Sequence, residues 1–107
     1  MSKTATTPEG SPHNVSFTRE LGLTHAEFYR SLPAAIAHRA FTTEGNQVRI
    51  EDGARIVTID LGPQRYRPIA SLRMPYVEAT FTFVGYAESD RRQFMERFER
   101  YFQRGGG

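Results

Sequence analysis

Two periods divide this chain. Val15, Phe17 and Leu21 recur at even spacing and predict a first strand. At Thr24 the period lengthens. Thr24 and Glu27 have the spacing of a capping box, in which each side chain satisfies an orphan amide at a helix start. Leu23 and Phe28 stand at the flanking staple positions. Phe28, Leu32 and Ile36 then follow four apart as a buried stripe. Pro33 predicts a kink, since its ring removes one donor and crowds the preceding turn, and the helix should end near His38. From Phe41 to Tyr86 the even period returns. Asp52-Gly53 predicts a two-residue hairpin turn, with Pro63-Gln64 and Met74-Pro75 as the next two. Ser89 and Asp90 open a second helix whose stripe is Phe94, Met95, Phe98, Tyr101 and Phe102. Arg92, Glu96 and Arg100 lie on its outer side, and three glycines end it.

The predicted fold is therefore α+β: strand, helix, four antiparallel strands, helix, with both helices on one face of a curved sheet. This order of elements resembles the half-repeat of TATA-binding protein and, more loosely, the helix-grip folds of ligand carriers. Such a likeness implies a fold and carries no function by itself. Residues 1–14, rich in Ser, Thr, Pro and Gly, read as a disordered arm. Residues 15–104 read as one domain, and 105–107 as a flexible tail.

The three turns assign one side of the sheet as apolar: Val48, Ile50, Val57, Ile59, Leu61, Ala70, Leu72, Val77, Ala79, Phe81 and Phe83. Arg55 is the misfit on that side. The opposite, open face receives Ile56, Thr58, Arg67, Ile69, Arg73, Tyr76, Thr80, Thr82 and Tyr86. In this register Asp60 faces Arg67 and Glu78 lies near Arg73, which would lower both carboxyl pKa values and make them poor general acids.

Composition narrows the chemistry. Among 107 residues there are eight Phe and five Tyr but no Cys, which removes thiol catalysis, cysteine-ligated metals and disulfides. With no apolar run long enough to span a bilayer and no secretory h-region, a cytoplasmic location without a membrane partner is expected. His13, His25 and His38 are too scattered for a metal site. No nucleotide, zinc-protease or nucleophile-elbow motif is present, so no cofactor is expected and nothing argues for an enzyme. Net charge is only +2, with thirteen Arg against one Lys. Arg65-Tyr66-Arg67, with Arg49 and Arg73, has the forked donors to hold an anionic small ligand. The acidic residues interleaved with these arginines argue against nucleic acid. Tyr and Arg around a semi-apolar strip suit a protein-binding patch. The sequence thus points to a binding or accessory domain that recognises a protein partner, or its own copy, through the open face. The alternative is a small-molecule pocket between helices and sheet, with nucleic-acid binding the weakest of the three.

Overall fold

The computed structural model describes residues 14–106, and the expected N-terminal arm lies outside them apart from Asn14, which opens the first strand. Six strands and two helices follow in the order β1 (Asn14–Leu21), α1 (His25–Ala35), β2 (Phe41–Glu44), β3 (Gln47–Asp52), β4 (Arg55–Leu61), β5 (Arg65–Ile69), β6 (Leu72–Val84) and α2 (Glu88–Gly106). The fold is α+β, with an open antiparallel sheet ordered β1-β6-β4-β3-β2 and β5 also paired to β6. β2 is one strand more than expected. At four residues it is too short to carry a period, and the Gly45-Asn46 turn joins it to β3.

The start of α1 follows the sequence reading. Thr24 accepts from the Glu27 amide at 3.1 Å, Glu27 accepts from the Thr24 amide at 2.9 Å, and Leu23 and Phe28 are both buried. Its end comes earlier than expected, two residues past Pro33. The His38 amide donates to Pro33 and the Ala37 amide to Ala34, closing a Schellman turn. Helix α2 instead runs past its expected stop through two of the glycines, extension of an existing helix being far easier than nucleation.

Nine of the eleven positions expected to be apolar and inward are buried, but two of the three predicted turns are misplaced and the third is shifted. The first hairpin turns at Gly53-Ala54, with Asp52 opposite Arg55. That shift is even, so Val48, Ile50, Val57 and Ile59 keep their face. β4 does not turn back on β5. Both lie end to end along β6, Leu61 opposite Ala79 and Arg65 opposite Tyr76. The chain reverses at Ala70-Ser71, not at Met74-Pro75. Ala70 and Leu72 are consequently exposed, because residues 65–76 project beyond the layer that the helices cover.

Both helices meet the sheet through one aromatic cluster. Phe98 of α2 stands edge-on to Phe81 of β6 at 4.8 Å and stacks with Phe102 at 4.4 Å, while Phe102 stacks on Phe28 of α1 at 5.3 Å. Tyr101, placed in the stripe by spacing, is instead 37% exposed, with the Arg97 guanidinium over its ring. Phe98 is fully buried among these rings, so Phe98→Ala should cost about 3–5 kcal/mol. A urea midpoint unchanged from the parent's would show that this cluster does not hold the helices.

Candidate ligand cleft

The open face is largely polar and already paired. Ser16 bonds Thr82 at 3.0 Å, Thr18 bonds Thr80 at 3.2 Å, and Gln47 donates to Asp60 at 2.8 Å. Thr58 sits opposite Thr82, and Ile56 beside the partly exposed Val84, so Ile56, Thr58, Thr80 and Thr82 do share this face. The remaining expected members part company. Arg67, Ile69 and Tyr76 lie on the same side but out on the projecting hairpin. Arg73 points to the other side of that hairpin, since it opposes Pro68 rather than Arg67 or Ile69. Asp60 opposes Thr80, not Arg67. Arg67 instead clasps Glu20 through two bonds of 3.1 and 2.8 Å, which holds the Glu20 carboxyl below its ordinary pKa. The carboxylate partner of Arg67 is thus Glu20 rather than Asp60.

Tyr86 is the sharpest correction. Alternation from β6 would place it outward, but Gly85 has φ +79°, and the following side chain swings to the helix side. A Cβ on Gly85 would lie 3.0 Å from the Ala54 carbonyl oxygen, so the close approach requires glycine for a second reason. Tyr86 is 3% exposed, edge-on to Phe83 at 5.1 Å.

There it forms the wall of a 340 Å³ cleft between the end of α1, the start of β4 and the first turns of α2. Arg39, Arg55 and Arg97 line it against a single lining carboxylate, Asp90. Arg55 is the misfit of the inward face. Its guanidinium binds Asp52 and Asp90 and lies 4.8 Å over the Tyr86 ring. The Asp52 carboxyl is held low by the Arg55 bond and then by the Arg39 charge, 3.6 Å away. Arg97 donates one nitrogen to the Ala34 carbonyl at 2.9 Å. Two polar atoms of residues lining this cleft, the Tyr86 hydroxyl and the Arg97 Nε, are buried with no acceptor among the described residues, the neighbour pulling on the hydroxyl being the Arg39 guanidinium, itself a donor. Burial raises the Tyr86 pKa, outweighing the pull of Arg39 and Arg55, so the phenol remains a neutral O–H donor at ordinary pH.

The rim carries backbone strain. Ala37 and His38 both take left-handed conformations, φ +59° and +60°, and Ala37 occupies the Schellman position that glycine normally fills. Elsewhere, the His25 Nε2 bonds the Gly62 carbonyl at 2.8 Å, and no cluster of His, Asp and Glu suited to a metal occurs among the described residues. Comparison with protein-family models, curated proteins and solved structures found no match.

Sequence reasoning missed Arg39, Arg55 and Arg97 as a group. The available signal was Arg55 itself, a charge at an inward position that only a polar cleft accommodates.

Two outcomes follow from this geometry. Ala37→Gly should raise stability by about 1 kcal/mol by relieving the left-handed alanine, read as a higher urea midpoint. The Tyr86 phenol should ionise above the ordinary tyrosine value of about 10. Its folded pKa exceeds its unfolded one, so its contribution is intact below about pH 10 and falls away as pH rises through the folded value. An alkaline stability profile as steep in Tyr86→Phe as in the parent would assign the loss to another group.

Proposed function

We propose that this chain is a small-molecule-binding domain whose cleft takes a compact anion, a carboxylate or phosphate group on a small ligand. The observation that carries this reading is a cleft lined by Arg39, Arg55 and Arg97, in whose wall two buried donors, Tyr86 O–H and Arg97 Nε–H, have no acceptor among the described residues. A buried donor left unsatisfied costs about 1–3 kcal/mol, and a ligand acceptor admitted by a small shift of the wall side chains recovers that cost. Three guanidinium groups against the two carboxylates of Asp52 and Asp90 leave a positive balance that favours an anion. The volume falls within the range of ligand clefts, and strain at Ala37 and His38 is of the kind that concentrates at binding sites.

A second reading, recognition of a protein partner or a second copy through the open face, draws support from Ile56 beside Val84, which is 38% exposed. It draws less, because the hydroxyls around that pair are already bonded to one another.

Titration calorimetry with inorganic phosphate and a panel of small mono- and dicarboxylates tests the cleft, with sedimentation on the same samples. The expected result is a heat from at least one anion with no self-association, weakened at least about tenfold by Tyr86→Phe. Silence across the panel with concentration-dependent association would move the function to the open face.

A further inference from the structure

β5 and the first five residues of β6 form an arm that the cleft does not use. Between Gly62 and Tyr76 the sequence holds Arg65, Arg67 and Arg73 and no acidic residue. At its far end, Ile69 pairs with Leu72 next to the Ala70-Ser71 turn, and Met74 stands opposite Arg67 on the same face. These three apolar side chains are 52%, 62% and 40% exposed, unusual for residues of their type in consecutive rungs. Behind the Ile69–Leu72 rung stand two stacked pairs, one on each side of the arm. Arg67 lies 4.3 Å over Tyr76, and Arg73 lies 5.1 Å over Tyr66. From the tip inward the outward face thus runs Ile69 with Leu72, then Met74 beside Arg67, then Arg65 with Tyr76.

The base of the arm is fixed. Residues 62–64 oppose only two residues of β6, a bulge that the start of α1 clamps: Gln64 accepts from the His25 amide at 2.8 Å, and His25 bonds Gly62. The arm is therefore presented rigidly.

We propose that this arm docks on an anionic lipid surface, with Ile69, Leu72 and Met74 entering the boundary between headgroups and acyl chains and Arg65 and Arg73 meeting lipid phosphates. Each ingredient alone gives weak attachment, and the combination of apolar insertion with basic charge is what makes a surface hold. The sequence-based expectation of no membrane partner addressed crossing a bilayer, and indeed no helix among the described residues is long and apolar enough to cross one. Touching a surface is a separate matter. A second copy suits the arm less well. Face-to-face packing would bring like charges together, and Pro68 and Pro75 remove donors from the arm, as edge prolines do where strand addition is blocked. Nucleic acid suits it less well because Arg already covers a face of both tyrosines and the leading residues are aliphatic.

The test is sedimentation of the full chain with phosphatidylcholine vesicles, with and without phosphatidylserine. The expected result is pelleting only with phosphatidylserine, weakened severalfold by added salt. Ile69→Glu with Leu72→Glu should cut it by at least about tenfold while leaving the urea midpoint unchanged, since both side chains are exposed. Because the chain has no cysteine, Ser71→Cys can carry a single polarity-sensitive dye, whose emission should shift to the blue on vesicles. No pelleting with phosphatidylserine, pelleting undiminished in the double variant, or a dye that stays in water would overturn the proposal. So would a vesicle-free dimer, or retention on DNA, that the double variant alone abolishes.

Discussion

Everything in this molecule is referred to the thirteen-residue strand β6. It is the longest described strand, with β1 paired along one edge and β4 followed by β5 along the other. Its inward Phe81 and Phe83 receive the rings of α2, and through Phe98 and Phe102 those of α1. Its first residues carry the arm, and Gly85 at its far end turns Tyr86 into the cleft. The sheet, the helices and both proposed sites inherit their positions from one strand's pleat.

The bulge at residues 62–64 sets the second half of that arrangement. In β4 the odd-numbered residues face the helices. One extra residue before β5 reverses this, so Arg65, Arg67 and Ile69 face outward with Met74 and Leu72. Without it, Ile69 and Leu72 could not meet on a common face as the pairing now requires. The clamp from His25 and Gln64 holds the extra residue in place, and it ties the arm to the first turn of α1.

The parts of the fold legible in the sequence were those fixed by near neighbours. The Thr24–Glu27 box, the Phe94–Phe98–Phe102 stripe and the inward parity of Val48 through Leu61 all follow from spacings of two to four residues. An even slip in the first turn left parity intact, which is why that core survived a wrong register. What failed depended on partners distant in sequence. Nothing near Leu61 announces that β4 and β5 will both pair with β6, so Leu72 was placed inside and Arg73 on the wrong side. Tyr86 was lost to a single left-handed glycine that interrupts alternation. Arg97 comes to the cleft on α2, and no spacing within that helix brings it near Arg39 or Arg55.

The two proposed sites stand at opposite ends of β6. Twelve residue steps separate Leu72 from Val84, roughly 40 Å of strand at about 3.3 Å per step. The Debye length under physiological salt is about 8 Å, so charge placed on the arm is screened from Arg39, Arg55 and Arg97. Substitutions at the arm tip and in the cleft touch no common residue and should act additively. An anion held by Tyr86 and Arg97 leaves the arm free, and a surface met by Ile69 and Leu72 leaves the cleft open to solvent. A domain built this way can hold a ligand and a surface at once, with the rigid strand fixing the distance between them.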